Sequence, residues 1–289
     1  MADEASTRGA VLSLIDDFSI EMTGKDVPAL EEAAPFIRPG TRISVTFLGN
    51  EDLAMRVTAA KAVKRLGFVP VPHVSARRLN SEAELKEFLG ALKAEAAPEN
   101  VFAVGGDPAE PLGPYEDSLA LIRSGLLTEY GFRHVSVSGY PEGHPDISNE
   151  KLWRALAEKS AALREQGLDS AIMTQFGFDV DPILYWLSEV RRRGIDAPVR
   201  IGVPGPAGVK RLLGYARRFG VASSAGIVHK YGFSLTNLLG TADPDKFITE
   251  FAQRLNPAEH GTVLLHFYTF GGIKATAQWV QNLRDGLHE

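Results

Sequence analysis

Short apolar runs rich in Val, Ile and Phe recur along the chain, and each is followed by a longer stretch of helical periodicity. The runs are Phe18–Met22, Ile43–Leu48, Phe68–Val74, Val101–Val104, His134–Ser138, Ala171–Phe178, Val199–Val203 and Val263–Tyr268. They predict eight strands. Between them, Glu51–Arg65 places Leu53, Val57, Ala60 and Val63 on one helical face. Ser81–Ala94 opens on Ser81 with Glu84 three residues later, the spacing of a capping box. Asn149–Gln166 and Asp181–Arg193 are each closed by a glycine, Gly167 and Gly194. Ala207–Phe219, Asp243–Leu255 and Ile273–Leu287 complete the helices, and Tyr115–Leu127 reads as one more, with a start rich in turn residues.

Strands alternating with helices imply a parallel sheet joined by right-handed crossovers. Eight such units in 289 residues match the size of a (β/α)8 TIM barrel, an α/β fold. The pattern predicts one such domain over residues 1–289. A doubly wound sheet is the alternative, and it predicts a glycine-rich turn after the first strand. That turn reads EMTGKDVP, with a single glycine.

Composition narrows the function. There are no cysteines, which excludes disulfides, thiolate metal sites and cysteine nucleophiles, and no metal site is predicted. A net charge of −5 argues against nucleic acid as a partner. The opening MADEASTRGA lacks the pattern of a signal peptide, and no apolar run reaches the length of a membrane span. The expectation is a cytoplasmic protein with no membrane partner. Assembly into a homo-oligomer is left open.

A barrel works at the C-terminal ends of its strands. The first strand ends at Glu21, the second carries Thr46 near its end, the third ends at His73 and the fourth at Asp107. The fifth leads into Tyr140, Glu142 and His144, the sixth carries Thr174 and Gln175, and the eighth ends in His266, Tyr268 and Thr269. Each has a plainer reading. Glu21 could be a solvated charge, His73 a satisfied core histidine and Asp107 a turn residue before Pro108. Gln175, amid SAIMTQFGF, either faces a polar cavity or is buried at a cost. Phe267 and Tyr268 suit packing, and His229 and Lys230 suit exposure to solvent.

Several blocks, in order and each at a strand end, carry a family resemblance: FSIEM (18–22), VTFLGN (45–50), VPHVSAR (71–77), VFAVGGDP (101–108), GYPEGHP (139–145), MTQFGFD (173–179) and HFYT (266–269). The chain resembles methylenetetrahydrofolate reductases over roughly Phe18 to Val280. The resemblance implies a barrel that uses FAD and moves a hydride between a nicotinamide nucleotide, NADH or NADPH, and a folate. It implies that Glu21 is the catalytic acid near the folate nitrogen and that Asp107 is catalytic beside flavin and folate. Thr46, His73, Gly106, Asp107, Tyr115, Tyr140, His144 and Lys159 would contact FAD. Glu21, Gln175 and Tyr215 would contact substrate.

The chain departs from the family pattern at Gly105, where an arginine is common, in the helix LAEKSAALREQG, and at Gly271 and Gly272. The departures in that helix motivate a rival, a flavin-independent relative passing hydride directly from NADH to folate. A non-catalytic folate-binding barrel is a second rival. A phosphate-substrate lyase is a third, since GVPGPAGVK and FYTFGGIK resemble phosphate loops.

Overall fold

The computed structural model describes residues 2–220 and 240–288. Eight parallel strands close into a barrel in chain order: β1 (Ser19–Met22), β2 (Arg42–Val45), β3 (Val69–Ser75), β4 (Asn100–Val104), β5 (His134–Gly139), β6 (Asp169–Phe176), β7 (Val199–Pro204) and β8 (Val263–Tyr268), which returns to β1. All eight runs read from the sequence are strands.

The helices are α1 (Ala2–Asp16), α2 (Val27–Ala33), α3 (Leu53–Arg65), α4 (Glu82–Glu95), α5 (Ser118–Arg123), α6 (Leu126–Glu129), α7 (Asn149–Glu165), α8 (Val180–Arg192), α9 (Val209–Arg218), α10 (Asp245–Arg254), α11 (Pro257–His260) and α12 (Ile273–His288). Side chains start them. Asp52 accepts from the Met55 amide, Ser81 from Glu84 and Ser148 from Lys151. The capping box at Ser81 is offset by one residue, because the Glu84 carboxylate returns to the amide of Asn80 at 2.7 Å. Two helices differ from the sequence reading. Tyr115–Leu127 splits into α5 and α6 around Gly125, whose φ of +74° no helix interior allows. The opening residues form α1, which buries Val11, Leu14 and Ile15.

The register divides every strand into two faces, because paired residues of parallel strands point the same way. One face carries Ile20, Met22, Ile43, Val45, Val101, Ala103, Val135, Val137, Ile201, Val203, Leu265 and Phe267, all in the large apolar core beneath the helices. At roughly 1.5–3 kcal/mol per fully buried large side chain, stability resides in this outer layer. The other face lines the lumen. There Glu21 pairs with Ser44, His73 with Phe102, Ser75 with Val104 and His266 with Ser19. The apolar content of the lumen is a small separate cluster of Val71, Phe102 and Met173, with Val104 against it.

The N-terminal end of the lumen is closed by Arg200, which is buried and donates to the Asp17 carbonyl at 2.7 Å and to its carboxylate at 3.0 Å. Burial pulls its guanidinium below the usual arginine value, and Asp17 opposes that. No described helix is long and apolar enough to cross a membrane.

Candidate active site at the C-terminal mouth of the barrel

Because side chains alternate, Ser19 and Glu21 of β1 share the lumen with His266 and Tyr268 of β8. His266 is fully buried. Its Nδ1 meets Ser19 Oγ at 2.9 Å, and its Nε2 lies 3.8 Å from Glu21 Oε2. Thr269 Oγ1 donates to the Glu21 carbonyl at 2.9 Å, which fixes the end of β1 against the end of β8. The Tyr268 ring packs edge-on to His266 at 5.2 Å, and its hydroxyl donates to the Thr174 carbonyl at 3.1 Å. Burial, then Glu21 and Tyr140, push the Tyr268 hydroxyl well above 10, so it is a donor at any working pH.

His73 of β3 packs edge-on against Phe102 at 4.7 Å. Burial, and then nearby His266, pull its imidazole down to about 3. The ring is therefore neutral. Among the described residues, His73 Nε2, Ser44 Oγ, Thr46 Oγ1 and Ser75 Oγ are buried without a hydrogen-bond partner. Buried polar atoms are nearly always satisfied, so this group on two neighbouring strands is a wall that suits a polar ligand.

Gln175 stands where β6 bulges between Met173 and Phe176, and Gly202 of β7 donates its amide into that bulge, to Thr174 Oγ1, at 2.8 Å. Gln175 Oε1 accepts from the Phe176 amide at 3.1 Å. The bulge re-aims the end of the strand. Beyond β5, Tyr140 packs edge-on to His144 at 5.4 Å, and His144 Nδ1 accepts from the Asp146 amide at 3.1 Å. Burial pushes the Tyr140 hydroxyl up, against a hydrogen bond with Ser138.

Asp107 lies beyond β4, mostly exposed, with its carboxylate bidentate to Arg78 at 2.8 Å from Nε and 2.8 Å from Nη2. Gly106 before it has a φ of +98°, and a Cβ there would stand 2.2 Å from Ser75 Oγ. Tyr215 of α9 stacks on Phe270 at 4.0 Å and on Phe219 at 6.3 Å. Phe270 in turn meets Phe176 and Tyr268, so Tyr215 joins the mouth through an aromatic chain.

The structure thus gathers Glu21, Thr46, His73, Tyr140 and Gln175 at the strand ends. It sets two of the sequence candidates elsewhere. Lys159 is buried on α7, which packs against α5, and burial pulls its amine down to about 8 against the opposing charge of Asp117. Tyr115 is buried in the helical shell, where burial and then Glu82 of α4 push its hydroxyl up. His229 and Lys230 lie outside the described residues. No cluster of metal-binding side chains occurs among the described residues.

Ser19, Ser44, Ser75 and Arg78 were not singled out by the sequence reading, and His266 was noted there only as a strand end. The signal for the lumen group was present in the two-residue spacing of polar side chains: Ser19/Glu21, His73/Ser75 and His266/Tyr268.

Comparison with known proteins bears on the family of the chain. The family model for methylenetetrahydrofolate reductase matches residues 37–284. Methylenetetrahydrofolate reductase (NADH) 1 of Arabidopsis thaliana is 27% identical over 207 residues, 64% of this chain and 33% of that protein. Methylenetetrahydrofolate reductase 2 of Saccharomyces cerevisiae is 30% identical over 127 residues, 42% of this chain and 20% of that protein. The matched region spans a third or less of each of these relatives. A solved structure of an uncharacterized protein from Clostridium thermocellum that binds two copies of 5-methyl-5,6,7,8-tetrahydrofolic acid superposes with a TM-score of 0.57. It covers 96% of this chain and 98% of its own at 10% identity, a likeness of fold alone. With the family model covering most of the barrel, the chain belongs to the methylenetetrahydrofolate reductase family.

Proposed function

We propose that this barrel interconverts 5,10-methylenetetrahydrofolate and 5-methyltetrahydrofolate, with NAD(P)H or NAD(P)+ as co-substrate and FAD as cofactor. The observation that carries the reading is the Glu21–His266–Ser19 arrangement, set in a lumen whose neighbouring wall holds unpartnered polar atoms. A carboxylate at the strand ends suits proton transfer. A wall of neutral imidazole and hydroxyls suits a heterocycle that presents both donors and acceptors.

The unpartnered buried atoms of Thr46 and His73 fit a flavin ring, and Tyr140 and His144, packed on one another after β5, would line another part of its site. Bound there, FAD would supply hydride transfer, which no side chain of this chain provides. The protein's own part is acid–base and positional. Hydride adds to an electron-poor carbon, so the five-membered ring of the folate must open to an iminium. Glu21 delivers a proton to the ring nitrogen, and the carbon–nitrogen bond breaks with its electron pair going to that nitrogen. His266, tied to Ser19, turns its other ring nitrogen toward the Glu21 carboxylate at 3.8 Å and so lines the side from which this exchange takes place. Gln175 offers a donor and an acceptor at the mouth, suited to a pterin edge or a carboxamide.

A second reading, direct transfer from NADH to folate without flavin, is favoured by one observation: Lys159 and Tyr115 are buried among the helices and not at the strand ends. The visible absorption spectrum decides between the two. Flavin-dependent chemistry requires protein that is yellow, or becomes so at micromolar FAD, and that bleaches with NADH. Colourless protein that turns over NADH with methylenetetrahydrofolate would establish the second reading.

A further inference from the structure

We infer that Arg78 is a positioning residue that fixes the Asp107 carboxylate for a folate or flavin ring edge. The inference rests on the functional reading above. Arg78 closes a short turn after β3 (Ala76–Arg78) whose two arginines tie together the loops that follow three successive strands. Arg77 takes the loop after β4. Its Nε donates to the Pro108 carbonyl at 2.9 Å and its other nitrogens to Ala109 and Glu116, while its backbone bonds Gly105 and Leu112. Arg78 reaches Asp107 on that anchored loop and also packs its guanidinium against Gly49 in the loop after β2. A Cβ at Gly49 would stand 2.1 Å from Arg78 Nη1, so any side chain there would displace the guanidinium. The loop after β2 is itself held by Arg56, which donates to the Leu48 and Glu51 carbonyls and packs its guanidinium 3.5 Å from the centre of the Phe47 ring.

Arg78 is therefore clamped between two anchored loops, and Asp107 is the more exposed partner of the pair, at 75% against 23%. An exposed ion pair adds little to stability. A planar two-bond fork does something else: it sets the plane of the carboxylate. Each carboxylate oxygen keeps a free lone pair once Arg78 is bound, and those lone pairs are what Asp107 can present to a ring N–H or amino group. Without the fork, the carboxylate rotates freely, and binding must order it at the ligand's expense.

The test is a double-mutant cycle read by calorimetric binding of 5-methyltetrahydrofolate to the full chain. The variants are Arg78→Met, Asp107→Asn, the pair together, and Gly49→Ala, which moves the guanidinium without removing charge. Asp107→Asn should weaken binding roughly tenfold or more, the usual loss for a hydrogen bond to a charged group. Arg78→Met and Gly49→Ala should each weaken it by a similar factor, and the double variant should be no weaker than Asp107→Asn alone. Arg78→Lys, which cannot form the fork, should not restore binding. Additive losses in the double variant, or normal binding by Arg78→Met, would overturn the inference while leaving the functional reading intact. A wild-type protein that binds no folate would overturn both. Melting temperatures of all variants should stay within a few degrees of wild type, and a loss of binding that simply tracks unfolding would place Arg78 in the scaffold instead.

Discussion

His266 turns one ring nitrogen to Ser19 at 2.9 Å and the other toward Glu21 at 3.8 Å, so one buried imidazole of the last strand faces two polar side chains of the first. The seam where the barrel closes is also where its candidate acid stands. Nothing in the outer core requires this. Ile20 and Phe267, which alternate with these residues on the same two strands, face away into apolar packing.

Glu21→Gln preserves shape and removes the exchangeable proton. Reduction of bound flavin by NADH should stay within a few-fold of wild type, while folate turnover should fall by about 10²–10⁴, the usual range for a general acid. Stopped-flow absorbance separates the half-reactions. An equal fall in both would make Glu21 a structural residue.

His73 gives a stability signature. Its imidazole titrates at about 3 in the folded barrel against an ordinary value of 6.5. Between those pH values the unfolded chain carries the extra proton, so stability falls as pH drops from 6.5 toward 3. One proton contributes at most about 1.4 kcal/mol per pH unit. Denaturant titrations at pH 7, 5.5 and 4 should show this slope in the wild type and a shallower one in His73→Gln. Parallel curves would assign the acid sensitivity to other groups.

Gln175→Glu exchanges the amide donor for an acceptor at nearly constant size. Expected results are a raised KM for folate and slower flavin reduction, with FAD retained and an unchanged circular dichroism spectrum. Among the described residues the side chain bonds the neighbouring Phe176 amide, a bond the glutamate can keep. A variant that unfolds or sheds flavin would show that the amide secures the bulge in β6.

The eight strands were legible because each is a compact apolar run, and the helices between them because their apolar faces are regular. The first helix was not, because Val11, Leu14 and Ile15, which it buries, all stand in its second half, while the sequence of its first turns is mostly polar. At the site, strand-end position located Glu21, His73 and Gln175. It did not show that Lys159 lies against a neighbouring helix, since a helical period gives a face and says nothing of depth. The Arg78–Asp107 fork joins residues 29 positions apart on successive loops. No local pattern encodes such a pair, and it appears only when β3 and β4 lie side by side.

The division of each strand into an apolar outer face and a polar inner one has a consequence for how this protein can change. Substitutions in the lumen alter which molecules are held and which protons move, yet they remove little of the apolar contact that keeps the chain folded. Random drift can therefore explore new chemistry at Ser44, Ser75 or Met173 with the architecture nearly insured against loss. The same drift at Ile20 or Phe267 would be purged before any catalytic novelty could be tried.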